Sequence, residues 1–389
     1  MLGALGGAAL LAAGTGACQV IEGARAGHAV SGAVDELTKW EAVTATATVD
    51  ATPEQVYDYL RRADERQGRE GPRATPGEAR LLSDLELTVS VGDPEGDTRL
   101  RDLEEGAALD GAMTLNFGGR DVAGVKQLAG DTYVRVGGQA VVEDVYGGGE
   151  AAVARAERFE RDAARLPESL GSAAAALRGD WVRVDPFAYE GYAEALAEEA
   201  GVPPATAAAL AAALTDGGAL LTPEALWAWT DGLESTLRSG ATLDRRGEER
   251  GAERVDVTLP AGEAQRAAGP LLALLDEQSE RFGLPPLAGE PADPAGPVTL
   301  ELTIRNGVLT DVGFDLAQFA PGGAEGEAGS LPLNLRLNGG SALNLDPPEE
   351  PAEALSPEDL TVALLYLAEQ NERRAEDEDR ADVPGPMQP

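Results

Sequence analysis

Alternation of apolar and polar residues marks two β-rich stretches on either side of a helical one. In VTATATVD, Val43, Ala45, Ala47 and Val49 alternate with three threonines, the period of two expected of a half-buried strand. The pattern recurs with Leu85, Leu87, Val89 and Val91 on one face of a strand, and with Leu109, Met113, Leu115 and Phe117 on one face of the next. Strands over Val122 to Leu128 and Thr132 to Val136, joined at Gly130-Asp131, extend this into an antiparallel meander. Near the other end, Val298, Leu300, Leu302 and Ile304 alternate up to Asn306-Gly307, with Val308, Val312, Phe314 and Leu316 on the return. Asn-Gly between alternating segments is the strongest short-range hairpin signal. A strand with Val255, Val257 and Leu259 precedes this hairpin, and one with Leu331, Leu333, Leu335 and Leu337 follows it.

Helical spacing accounts for the rest. Val30, Val34, Leu37 and Trp40 predict a helix over about 30–41, after a stretch of small and polar residues, 19–29, suited to a tether. Thr52-Pro53-Glu54-Gln55 has the form of a capping box with proline at the first helical position. Val153, Ala156, Phe159 and Ala163 predict helix within 149–178, broken at Pro167; further helices are expected at about 190–200, 204–214, 223–237 and 262–282. Ser356-Pro357-Glu358-Asp359 opens a last helix through about Arg373, and the acidic residues 374–389 are expected to be a disordered tail. These elements predict an α+β fold: a curved antiparallel β-sheet, or half-barrel, packed against α-helices, with a helical block inserted at about 147–240 of a domain spanning 30–373.

Charge narrows the partners. The net charge of −37 disfavours nucleic acid, whose affinity depends on Lys and Arg neutralising phosphates, and equally disfavours anionic headgroups. The acids are dispersed, as on a solvated, aggregation-resistant surface. Only two lysines, Lys39 and Lys126, accompany 29 arginines.

Candidate chemistry is sparse. The single histidine, His28, lies in the expected tether, so Ser–His–Asp, Cys–His and HExxH arrangements are excluded, and neither GxSxG nor GxxxxGK[ST] occurs. Gly147-Gly148-Gly149-Glu150-Ala151-Ala152 matches GxGxxA after a strand-like AVVEDVY. The acidic partner about 20 residues on is missing, so a glycine linker is the better reading. With 68 acids, carboxylate pairs for glycoside hydrolysis can be drawn anywhere and discriminate nothing. No cofactor or metal is expected.

The one cysteine carries more information. Leu2–Cys18 is an apolar run ending in Thr15-Gly16-Ala17-Cys18, with a core of about 5–13, short of a membrane span. It resembles the signal and lipobox of bacterial lipoproteins, which implies a signal peptide over 1–17, a lipidated Cys18 with a tether over 18–29, and attachment to the extracytoplasmic face of the cell membrane. A cleaved secretory peptide or a buried N-terminal helix is the alternative. With Cys18 so assigned, no intrachain disulfide is available.

The order of elements over 30–137 and 181–345 resembles the actinobacterial LppX/LprG lipoprotein family, whose fold is like that of the periplasmic carrier LolA. The resemblance rests on TATATV after the lipidated cysteine, NFGGRDVAGVKQLAGDTYVRVG, DWVRVDP, RGEERGAERVDVTL and the Asn-Gly hairpin. It implies a non-catalytic half-barrel whose apolar cavity, between sheet and helices, holds an acylated lipid. The added helix at about 147–178 and the acidic tail depart from the family. The inward faces, Leu85, Leu87, Val89, Val91, Met113, Leu115, Phe117 and Leu300, are then the expected ligand-binding residues. The expectation is a binder or carrier of an apolar, acylated ligand, held to the membrane by its lipid anchor. The alternative is a cell-envelope interaction or scaffold lipoprotein whose sheet covers a filled core, with a carboxylate hydrolase third.

Overall fold

A computed structural model describes residues 21–67, 74–93, 98–103, 109–145, 147–199, 202–204, 207–208, 241–264, 296–319, 329–340, 345–348 and 354–381. The signal segment and Cys18, and the helices predicted at 223–237 and over most of 204–214 and 262–282, lie outside these residues. The chain is α+β and divides into two compact units. One comprises Met1–Asp131 with Asp216–Pro347, the other Thr132–Thr215 with Pro348–Pro389.

The first unit is built on a curved, unclosed antiparallel sheet. Its strands are β1 (Ala42–Val49), β2 (Leu85–Gly92), β3 (Asp110–Phe117), β4 (Arg120–Leu128), β7 (Thr242–Glu249), β8 (Ala252–Leu259), β9 (Val298–Arg305), β10 (Val308–Asp315) and β11 (Pro332–Gly339). They lie in the order β4-β3-β2-β1-β11-β10-β9-β8-β7, two meanders joined where β1 pairs with β11. The register aligns the apolar positions: Val255, Leu302, Val312, Leu335, Ala47, Leu87, Leu115 and Ala123 stand opposite one another across eight strands. The row is buried from Val255 to Ala47 and half-buried at Leu87, Leu115 and Ala123, and since a one-residue slip would send every one of these side chains to the other face, its burial fixes the pairing. Asn306 and Gly307 both have positive φ, 53° and 79°, the type I′ geometry that suits a tight hairpin. The β4 turn falls at Ala129 and Gly130, one residue earlier than expected, with φ of 49° and 87°.

Helix α1 (Ile21–Leu37) begins inside the segment expected to be a tether and ends before Trp40. The correction has a plain cause. Ala26, Val30, Ala33, Val34 and Leu37 form one buried stripe, and alanine, though small, is the best helix former. Trp40 leaves the helix and rests on Gly339, where a Cβ would stand 2.1 Å from its ring. Helix α2 (Pro53–Gln67) opens with the expected capping box, Thr52 N–H donating to Gln55 Oε1 at 2.8 Å and Gln55 N–H to Thr52 Oγ1 at 3.4 Å. Helix α3 (Pro76–Asp84) occupies part of what reads as loop; Thr75 and Glu78 form a second capping box, with Pro76 at its start. All three helices contribute to one core with β1, β8, β9, β10 and β11, in which Tyr59, Leu60, Leu302, Leu309 and Leu337 are fully buried.

Strand β7 was not predicted, and its sequence, TLDRRGEE, explains why. Seven of its eight residues are exposed, so no apolar alternation marks it. The threonine-rich face over β1–β3 holds a second surprise: Ser90, Thr88 and Thr114 are buried, as is Lys126 on β4, whose Nζ donates to the Asp346 carbonyl at 3.0 Å. Thr44 and Ser90 hydroxyls meet at 2.9 Å. Polar side chains that alternate with apolar ones are thus buried here through hydrogen bonds, not solvated.

The second unit contains β5 (Asp131–Val136), β6 (Val182–Val184) and β12 (Ala354–Leu355). Strands β5 and β6 are antiparallel, and β12 runs parallel to β6. Around them lie α4 (Glu150–Ala163), α5 (Gly171–Leu177), α6 (Tyr189–Glu198) and α7 (Pro357–Ala381). Pro167 separates α4 from α5, as predicted. The strand-like AVVEDVY is instead a helical turn, Gly138–Ala140, continued by a π turn, Val141–Val145, so the glycine motif does not follow a strand. Helix α7 runs on to Ala381 where a disordered tail was expected from 374. Acidic composition suggested disorder, but Glu, Arg and Ala are strong helix formers, Arg373 pairs with Glu369 one turn back, and Arg374 is tied to Asp162.

Candidate functional site

Several sequence features converge in the second unit to leave a cavity of about 850 Å3. Its strand side is lined by Val134 and Val136 of β5, Val182 and Val184 of β6, and Leu355 of β12. Helix α4 presents Ala152, Ala156 and Phe159, spaced by four and three residues and therefore on one face. Leu177 of α5, Tyr192 and Leu196 of α6, and Leu360 of α7 complete an apolar lining. Val142 enters from the π turn, a rare distortion that recurs at functional sites.

Two glycines allow this closeness. A Cβ on Gly191 of α6 would lie 3.0 Å from Pro357, at the start of α7. At Gly148, one would lie 2.8 Å from the Val142 carbonyl and 3.2 Å from Ala152, so a side chain would part the π turn from α4.

Polar groups also border the cavity. Asp162, at the end of α4, is 5% exposed and accepts from both terminal nitrogens of Arg374, at 2.9 and 3.3 Å. That bond outweighs burial and, with Arg374, Arg165 and Arg161 nearby, holds the Asp162 carboxyl below the usual range. The Tyr192 hydroxyl donates to the Leu355 carbonyl at 2.6 Å, tying α6 to β12; burial raises its pKa above the ordinary tyrosine value. The other bordering carboxylates are also engaged: Glu160 accepts from the Gln139 amide at 3.0 Å, Asp180 from Arg178 at 2.7 Å, and Asp185 from the Phe187 amide at 2.9 Å. Arg135, Arg155 and Arg158 border the same cavity. Among the described residues no three His, Cys, Asp or Glu side chains are grouped to hold a metal ion, and no helix is long and apolar enough to cross a membrane.

The eight residues expected to bind ligand lie elsewhere, in the first unit. Leu85, Leu87, Val89 and Val91 on β2 and Met113, Leu115 and Phe117 on β3 share one face, and Leu300 of β9 lies on that face too. Val89, Val91 and Phe117 are buried, while Leu85, Leu87, Met113 and Leu115 are half-buried. Leu300 packs against the core of the first unit. None of the eight borders the 850 Å3 cavity.

Sequence reasoning missed the cavity residues because they come from eight separate elements, with only three residues in β6 and two in β12. One signal was present. Phe159 lies on a predicted apolar stripe flanked by Arg155 and Arg158, an apolar face with positive charge along its edge.

No family model matches the chain, and no curated protein matches it.

Proposed function

We propose that this protein is a membrane-anchored extracytoplasmic lipoprotein of the LppX/LprG type, with a LolA-like half-barrel as its larger unit, that binds or carries an acylated ligand without catalysis. The observation that supports binding is the apolar cavity of the second unit. Its volume of about 850 Å3 falls in the ~300–1,000 Å3 range of small-molecule sites, and the apolar part of its lining is aliphatic with one phenylalanine and one tyrosine, bordered by charged side chains. Burial of an acyl chain would drive association at about 0.8 kcal/mol per methylene, so roughly ten methylenes supply on the order of 8 kcal/mol before the cost of ordering the chain. The lining carboxylates are bound to structural partners, which suits a container better than an acid–base pair.

A second reading, an envelope interaction protein, draws on one observation: Val362, Leu365 and Tyr366 form an exposed stripe on α7, and Phe187 is 90% exposed.

Mass spectrometry of organic extracts from the purified full-length protein tests the first reading. Acylated molecules should co-purify and should be lost from Ala156→Phe, which fills the cavity from α4. A protein that yields no lipid, or yields the same lipid after the cavity is filled, rules out this cavity as the container. Anchoring is tested separately by Cys18→Ser, which should move the protein from the membrane to the soluble fraction.

A further inference from the structure

We propose that the ligand of this cavity is an anionic amphiphile, its oxyanion head held by Arg155 and Arg158 of α4 while its chain lies against Phe159 and the strand valines. The inference rests on the reading of the cavity as an acyl-binding site and specifies the other end of the molecule.

The argument is one of charge accounting in a very acidic chain. Acids outnumber Lys and Arg by 68 to 31, and among the described arginines whose side chains form no hydrogen bond or ion pair, Arg99, Arg305 and Arg336 included, only Arg155 and Arg158 border the cavity. Among the described residues Arg155 and Arg158 form no hydrogen bond or ion pair, although both border the cavity. They stand three positions apart on one helix, about 5–6 Å between Cβ atoms, where like charges repel and destabilise the helix slightly. Arg374, the nearest analogue on α7, is already committed to Asp162. The acids that border the cavity bond to other partners, as Glu160 does to the Gln139 amide.

Two guanidinium forks beside an apolar cavity are matched by a carboxylate or phosphate carrying a hydrocarbon chain. Each fork can donate two parallel N–H bonds to such a group, a geometry that a neutral hydroxyl cannot reciprocate. Both arginines are exposed, so the contribution is screened by salt and amounts to specificity added to a largely apolar affinity.

Tridecanoate, dodecyl phosphate and dodecanol share one dodecyl chain and differ only in the head, which makes them the probes. Their Kd values for the full-length, delipidated protein are measured by displacement of a neutral naphthylamine dye, at low and high ionic strength. At low salt at least one of the two anions should bind about tenfold more tightly than dodecanol, and the margin should shrink at high salt. Whichever anion binds better identifies the head as carboxylate or phosphate. Arg155→Gln with Arg158→Gln should abolish the margin by weakening the anions far more than dodecanol. Equal binding of all three amphiphiles, or a margin that survives the double substitution, overturns the head-group proposal while the acyl-binding reading stands. Failure of every amphiphile to displace the dye overturns both.

Discussion

Replacing Asp162 by Asn offers a quantitative test of how the cavity is held together. Asparagine keeps the volume, so no void opens, but it removes the charge from a side chain that is 6% exposed and with it the ion pair to Arg374. A hydrogen bond to a charged group contributes about 1.5–3 kcal/mol, and two such bonds at 2.9 and 3.3 Å reach Asp162. Arg374 is 40% exposed, so water screens part of the pair and can solvate the released guanidinium. Arg165, at 3.5 Å and 71% exposed, adds little. The expected loss is about 2 kcal/mol, against about 3–5 kcal/mol for a fully buried pair. Urea unfolding, read by amide exchange in α4 and α7, measures it, and a double-mutant cycle with Arg374→Gln isolates the pair. The pH dependence has a fixed sign. Because the folded carboxyl titrates below its ordinary value of 3.8, its contribution is full above about pH 4 and disappears as pH falls through the lower folded pKa. Wild-type and Asp162→Asn stabilities should therefore converge in acid. A loss under about 0.5 kcal/mol, additivity in the cycle, or a gap that widens on acidification refutes the reasoning.

Tyr192→Phe removes the bond to the Leu355 carbonyl and leaves a buried acceptor unpaired, an expected loss of about 1–2 kcal/mol by denaturant unfolding. In the wild type this phenol should ionise above pH 10 by ultraviolet titration, and its contribution to stability, complete below that pH, should vanish as pH rises through the folded pKa. Gly92→Ala places a Cβ 2.5 Å from both the Glu41 carbonyl and the Ala42 Cβ, so it should shift the β1–β2 edge and cost more than about 2 kcal/mol. Gly118→Ala, with open space around it and a positive φ of 54°, should cost only about 1–2 kcal/mol.

Much of the first unit was legible in the sequence because the physics that builds it is local. Alternation marked β1, β2, β3, β9, β10 and β11, and Asn306-Gly307 named its own turn. Where information was not local, reading failed. Strand β7 carries no apolar pattern because it pairs on one side within its unit and needs none, and β12 is too short for periodicity. The start of α1 and the end of α7 were misread because alanine and glutamate serve helix as readily as tether or tail. The cavity was illegible for a different reason: its walls come from residues 132 to 374, and the last segment is brought beside the earlier ones by long-range contacts such as the parallel pairing of β12 with β6. Pairing of that kind has no signature along the chain.

The polarity that concealed β7 also bears on how the protein avoids pairing with copies of itself. The end of a long antiparallel sheet offers unpaired amides and carbonyls to any passing strand, the usual route to fibres and swapped assemblies. Here that place is taken by Arg245, Arg246, Glu248 and Glu249, with a bulge between Arg245 and Gly247, whose φ is 119°. A second copy approaching in register would set arginine against arginine or carboxylate against carboxylate, or meet the bend. Substitution of these eight residues by a β-branched, uncharged run is expected to promote strand-to-strand association.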